Sequence, residues 1–434
     1  MGNIIQFPNK SEISSEEQKL LRAVVIEDKK PGTLLYDFNI LTEFIGSEGI
    51  KVSDKNNLLP MNALKEINAK MARPIEIGLK RPAQRSFPHI NGLYLLLRAS
   101  GLTRISGSAT KKILHIDKDV YNSWEKLNPT EQYCTLLEAW LLRGYSHVIG
   151  ESFGSFTDEA IFKWDTLFKN ISGKGLKILG NTEAEQNILY FVGTYTIGIL
   201  ELFGFITVKP APPEPGKGWQ IDKIQKTPLG IALLNLMSDK LFPKEADTDN
   251  FSDFLEEMMD EDEDKPVFDL QSVIRPYFPK WENTLQFSEK EFQDGVYLFK
   301  VSSDKTIWRK IAIPDRSDLD QLSTAILKAF NFDNDHLYCF TYTDIFGLLI
   351  KIYHPYMEDE DVCADEVLIG NLPLEPGSVM EYLYDFGDNW KFEVMLESVQ
   401  PSNFRMKKAR VIESHGQAPE QYWYGDEEDS DNEE

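Results

Sequence analysis

Residues 90–118, INGLYLLLRASGLTRISGSATKKILHIDK, read as an apolar helical run, a stop at Gly101, a short strand over residues 102–105, a turn, and a returning strand from Ile113. The same order returns at residues 188–223, ILYFVGTYTIGILELFGFITVKPAPPEPGKGWQIDK. A helix over residues 188–203 stops at Gly204, and a strand over 205–208, a Pro/Gly loop and a return at 219–223 follow. Each copy then enters another helix, at residues 120–127 and 228–236. A pattern met twice predicts one supersecondary unit used twice.

The whole chain of 434 residues has room for about three folded units. Its 42% hydrophobic and 12% aromatic content is that of a packed globular protein and excludes a disordered or fibrous chain. Three widely spaced cysteines (Cys134, Cys339, Cys363) argue against a disulfide framework and suit a reducing cytoplasm. The first residues, MGNIIQFPNKSEISSEEQ, lack a basic-then-apolar leader, so no signal peptide is expected. Residues 188–208 have the length of a membrane span and a single charge, Glu201. That central acid, the flanking Glu183 and Glu185, and the turn at Gly204 predict a buried helix running into a strand, with no membrane partner.

The net charge of -24 is unevenly placed. Residues 245–264 hold 11 acids and no Lys or Arg, and the tail from Gly425 holds 7 more; without them the charge is -6. Both are expected to be solvated, a linker and a tail. Residues 60–112 instead carry ten basic side chains against two acids, Glu66 and Glu76.

Helix, glycine stop, strand, turn and strand is the closing order of a winged helix, which the two copies resemble over about forty residues each. The resemblance makes the loop a wing and the preceding helix a recognition helix. In the first copy Arg98, Arg104, Lys111 and Lys112 are the candidates for phosphate contact, and duplex DNA is the candidate partner. The second helix has no Lys or Arg, so that copy is expected to contact protein instead.

After the acidic run the pattern changes. Residues 295–301 and 308–313 alternate as strands, Ser317 and Asp320 resemble a capping box, and a helix over 319–330 aligns Leu319, Leu322, Ile326 and Phe330 on one face. Further strands are expected at 337–342, 348–353, 379–384 and 390–398. The class is α+β with a mainly antiparallel sheet.

Within this module, Ile307-Trp308-Arg309-Lys310-Ile311, then Asp335-His336-Leu337-Tyr338-Cys339-Phe340, then Tyr384-Asp385-Phe386-Gly387-Asp388-Asn389-Trp390 resemble the ordered motifs of the plasmid pRiA4b ORF-3-like family over residues 292–400. The resemblance implies kinship with proteins of plasmids and mobile elements and implies no reaction. Many members resemble His-Leu-His in the second motif, Trp-x-His in the third and Pro-Pro-Glu-Asp near the end. Here Tyr338, Phe392 and Ala418-Pro419-Glu420-Gln421 stand instead, so a metal site made of those histidines is expected to be lost.

His336, Asp385 and Asp388 are the catalytic candidates, since two carboxylates and a base converging on one point could serve proton transfer or a metal. The structural reading is a turn in which Asp385 accepts backbone hydrogen bonds, Gly387 takes a positive φ, and Tyr384, Phe386 and Trp390 pack. His336 is then a cap between helix and strand. Cys339, His354 and Cys363 lack zinc-ligand spacing, and no cofactor fingerprint occurs, so neither metal nor cofactor is expected. Trp308 is expected in the core, with Arg309 pointing to solvent.

The expected organisation is an N-terminal segment (1–32), winged-helix-like units at 33–130 and 181–240 joined by a helical bridge (131–180), an acidic linker (241–287), the ORF-3-like module (288–412) and an acidic tail (413–434). The expected role is non-enzymatic binding or regulation connected with mobile DNA. The alternatives are a protein-interaction scaffold and a metal-dependent hydrolase using the C-terminal module.

Overall fold

The structure, a computed structural model, describes residues 13–53, 55–106, 111–151, 160–241, 270–287, 291–357, 362–401 and 406–422. The acidic run at 245–264, the tail from Gly425 and the turn at 107–110 lie outside the described residues. The chain divides into two compact units, one of residues 1–105 and 113–287 and the other of 106–112 and 288–434.

In the first unit, α1 (Ser15–Ala23) leads into a run of α2 (Leu34–Ile45), β1 (Ile50–Lys51), α3 (Met61–Lys70), α4 (Pro88–Ala99), β2 (Thr103–Ser106), β3 (Ile113–Ile116) and α5 (Lys118–Trp124). After α6 (Pro129–Arg143) the order recurs as α7 (Ala160–Asn170), β4 (Leu176–Lys177), α8 (Thr182–Asn187), α9 (Thr194–Leu202), β5 (Ile206–Pro210), β6 (Ile221–Lys226) and α10 (Pro228–Leu241), and α11 (Leu270–Ile274) comes last. The two small sheets match, with strand orders β1-β3-β2 and β4-β6-β5. Each copy opens on a helix and a two-residue strand too short to show periodicity. The second copy therefore takes in α7 and β4, from the stretch read as the bridge.

The run at 188–203 is not one helix. A wide turn at Ile188–Val192 ends at Gly193, whose φ of 80° no other residue type adopts easily, and α9 starts afresh. Among the described residues no helix is long and apolar enough to cross a membrane.

The two copies meet through α4 and α9, and glycines set the approach. A Cβ on Gly92 would lie 2.5 Å from Ile199 Cγ1, and one on Gly198 would lie 2.8 Å from the Pro88 carbonyl carbon and 2.9 Å from the His89 nitrogen. Every residue of α4 is buried. The aromatic bridge fills the same core. Trp140 of α6 stacks on Trp164 at 5.6 Å, Trp164 stacks on Phe205 at 4.5 Å, and the Tyr133 hydroxyl donates to the Phe203 carbonyl at 2.7 Å.

Among its described residues the second unit is a seven-stranded antiparallel sheet with one α-helix laid on it. Its strands are β7 (Val296–Ser302), β8 (Trp308–Pro314), β9 (Tyr338–Thr343), β10 (Leu349–Tyr353), β11 (Val379–Tyr384), β12 (Trp390–Gln400) and β13 (Arg410–His415), in the order β10-β9-β11-β12-β7-β8-β13. The helix α12 (Leu319–Phe330) buries Leu319, Leu322, Ile326 and Phe330 fully against Phe299, Ile311, Tyr382 and Phe392. It is capped by Asp318 rather than Ser317. The Asp318 carboxylate accepts from Gln321 N at 2.7 Å, while Ser317 is buried and its carbonyl accepts from Ile369 N at 2.8 Å. The class is α+β.

Trp308 and Arg309 lie the other way round from expectation. Residues of one parity share a sheet face, and Ile311 and Ile313 are fully buried, so Arg309 goes inward with them. Its Nε donates to the Ala329 carbonyl and its Nη1 to the Trp308 and His415 carbonyls, all at 2.9 Å, while the guanidinium lies 4.7 Å from the Phe330 ring centre. Trp308, half-buried on the opposite face, stacks on His415 at 5.5 Å with Lys300 4.9 Å from its ring centre.

Candidate functional site

Two of the four basic candidates of the first copy, Arg98 and Arg104, are held by the fold itself. Arg98 is 5% exposed, as every residue of α4 is buried, which corrects the expectation that it meets phosphate. Arg104 is ion-paired with Asp117, the residue that also caps α5. Lys111 is exposed and Lys112 half-buried.

His336 and Asp385 do come together, at the corner between α12, β9 and the β11–β12 turn. His336 Nε2 lies 3.5 Å from Asp385 Oδ2, 3.7 Å from Asp335 Oδ1 and 3.3 Å from the Tyr422 hydroxyl. The other oxygen of Asp385, Oδ1, accepts from Gly387 N at 2.8 Å and from Asp388 N at 3.3 Å, so this carboxylate builds the turn. Positive φ falls on Asp385 (56°) and Asn389 (57°) instead of Gly387. Asp388 is exposed on the turn. Among the described residues no three His, Cys, Asp or Glu side chains are grouped to hold a metal. Tyr384 and Trp390 pack this corner from below, Trp390 against Phe332 at 4.9 Å. The family motif thus gathers His336, Tyr384, Asp385, Gly387, Asp388 and Trp390 at one corner and leaves Trp308 and Arg309 at the β8–β13 edge.

The Tyr422 hydroxyl donates to Asp335 Oδ2 at 2.8 Å and Oδ1 at 3.0 Å, and this bond above all holds the Asp335 carboxyl below the usual carboxylate range. A carboxyl lowered in this way stabilises the docked segment above its ordinary value of about 3.9, and the contribution fades as pH falls through the lowered one. Tyr422→Phe is expected to bring Asp335 back up towards that ordinary value. Carbon NMR of the Asp335 carboxyl would show it; an unchanged titration would mean the bond is not made.

A concave site forms inside the first unit at the seam between the copies. It has a volume of 440 Å³, in the range of small-molecule sites. Ile75, Val208, Trp219 and a run of prolines (Pro74, Pro210, Pro212, Pro213) make its walls. Its floor is a pair of polar side chains with little exposure, one from each repeat helix. His89 of α4 and Glu201 of α9 are 9% and 10% exposed, with Nε2 and Oε2 2.8 Å apart. Arg73, 69% exposed, donates from Nη1 to the other oxygen, Oε1, at 3.3 Å. Trp219 sits edge-on to His89 at 5.0 Å.

The wall is held by backbone. Gly78 N donates to the Lys217 carbonyl and Gly216 N to the Gly78 carbonyl, both at 2.9 Å, and any side chain at Gly78 would collide with the Glu214 carbonyl oxygen. The residues of this site are 146 positions apart at the extremes, Arg73 to Trp219, and none was a sequence candidate for binding apart from Arg73 within the basic stretch. One signal was present: a lone acid in a long apolar run must find a partner when buried.

A relative from Sinorhizobium fredii (strain NBRC 101917 / NGR234), described as "Uncharacterized protein y4hQ", is 27% identical over 130 residues, which are 29% of this chain and 64% of that protein. The chain therefore spans under two thirds of that relative's length. A crystal structure of a protein of unknown function, MM3350 from Methanosarcina mazei Go1, aligns with 29% of this chain and 72% of its own at 25% identity, with a TM-score of 0.26. Residues 296–425, the C-terminal module, match the family model of the plasmid pRiA4b ORF-3-like proteins.

Proposed function

We propose that this chain is a ligand-binding regulatory protein, in which two winged-helix-like repeats form a rigid platform and the pocket at their seam receives the ligand. The winged-helix reading is supported by the shared element order and by small sheets whose first strand pairs with the last. The observation that carries the binding reading is the pairing of α4 with α9. A DNA-reading winged helix lays the helix before its wing in the major groove. Here that helix is packed inside the fold, and His89 in its first turn meets Glu201 on the floor of an apolar pocket.

The test uses Trp219 as reporter. The fluorescence of the full chain, less that of Trp219→Phe, is titrated with benzamidine, benzoate and benzyl alcohol in turn. A saturable response to any of the three supports the reading, and no response to all three overturns it.

A further inference from the structure

We infer that the seam pocket selects a small aromatic or aliphatic cation, an amidinium or primary amine on an apolar body, which takes the place of Arg73 on Glu201. This inference rests on the seam-site reading and adds the class of ligand.

The charge balance points this way. The pocket is lined by Arg73, Glu76, His89 and Glu201, and with histidine counted as neutral these sum to -1. The two acids differ in setting: Glu76 is exposed at the rim, while Glu201 sits on the floor. A carboxylate only 10% exposed is worth most to a ligand that neutralises and hydrogen-bonds it. A carboxylate or phosphate brought to the same floor would meet Glu201 without a compensating buried cation.

The two oxygens of Glu201 are held differently. Oε2 is held by His89 Nε2, which is itself buried and fixes the plane of the carboxylate, so His89 is a positioning residue. Oε1 is held by the guanidinium of Arg73 at 3.3 Å, on a side chain 69% exposed. Such a long ion pair, made by a solvated side chain, holds weakly, and a better placed cation can displace it. Arg73 therefore occupies the place on Glu201 that the ligand's cation would take. The walls suit the rest of the ligand. Proline rings and Ile75 offer rigid apolar surface that loses little entropy on binding, and the Trp219 indole on the same wall attracts cations through its π electrons. No bond is made or broken in this step.

The experiment is calorimetric titration of the full chain at pH 8 with benzamidine hydrochloride, sodium benzoate and benzyl alcohol. These share a ring and differ in charge. The expected result is saturable benzamidinium binding about tenfold or more tighter than benzyl alcohol, and no measurable benzoate binding. Glu201→Gln is expected to weaken benzamidinium by about tenfold or more. Arg73→Ala, on an exposed side chain that leaves the fold intact, is expected to tighten it by about threefold.

Tighter binding of benzoate or benzyl alcohol overturns the cation assignment and leaves the seam site standing. Loss of benzamidinium binding in Arg73→Ala also overturns it, because the guanidinium would then be a partner of the ligand and not its competitor. Should Glu201→Gln fail to fold, the Arg73→Ala result still decides. Absence of binding by all three probes overturns the site itself.

Discussion

Gly198→Val is expected to destabilise the first unit by about 3 kcal/mol or more, lowering its melting temperature by roughly 6–12 °C. The added Cβ alone would stand 2.8–2.9 Å from the backbone of Pro88 and His89. Backbone cannot rotate away as a flexible side chain can, so the whole of α4 must shift. It has nowhere to go, because every one of its residues is already packed. Relief can come only by opening the interface between the copies. The same shift pulls His89 off Glu201, so the variant should also lose the seam-pocket response at temperatures where it is still folded. Gly173→Ala is the control, since nothing lies within 4 Å of a Cβ there, and its melting point should stay within about 1–2 °C of the parent. Circular dichroism melts of the three full chains decide the matter. A Gly198→Val chain that melts with the parent would mean that the helices do not cross at this point.

The second unit was legible because its signals are local. Alternating strands around one amphipathic helix place Leu319, Leu322, Ile326 and Phe330 inward whichever partner they meet, and the strand bounds fall within a residue or two of expectation up to β12. β13 escaped notice since all six of its residues are exposed and no apolar alternation marks it. The inversion of Trp308 and Arg309 had a signal too, in the parity shared by Arg309, Ile311 and Ile313. Judging each side chain by its own polarity hid it. At the His336 corner the motif spacing brought the right residues together, but two-sided use of one carboxylate, Oδ1 for the turn and Oδ2 towards His336, is a matter of geometry that spacing does not carry.

The first unit hid more. Its repeat was visible, while the pairing of its two copies was not, because contacts such as Gly92 with Ile199 join residues over a hundred positions apart. Arg98 looked like a phosphate ligand on a helix of unknown exposure; its burial follows from α9 covering α4. Glu201 entered the reading only as an obstacle to a membrane span. In the structure it is the acid that both repeats converge on.

Removal of Arg309 is expected to cost the second unit about 3–4 kcal/mol, which few single substitutions reach. The guanidinium satisfies three carbonyls at once, and charged hydrogen bonds contribute about 1.5–3 kcal/mol each. One acceptor, Ala329, is in the last turn of α12, where a carbonyl has no partner within the helix and the helix dipole favours a cation. Another, His415, ends β13, an edge strand with no buried residue to hold it otherwise. Arg309 therefore ties the helix end, the strand it belongs to and the sheet edge into one node. Arg309→Lys keeps the charge but not the planar fork, and it should recover less than half of the loss. Arg309→Met keeps apolar contact with Phe330 and should lose all three bonds. Hydrogen exchange read by mass spectrometry should quicken first over residues 331–337 and 410–415, and denaturant melts of the full chain give the size of the effect. Trp308→Ala provides the contrast. Being half-buried on the opposite face against Lys300 and His415, it should cost only about 1 kcal/mol. The order of the two effects is the decisive result, because an arginine in the core and a tryptophan outside it reverse the ranking that hydrophobicity alone would assign. If Trp308→Ala proved the more damaging, the sheet would have to face the other way.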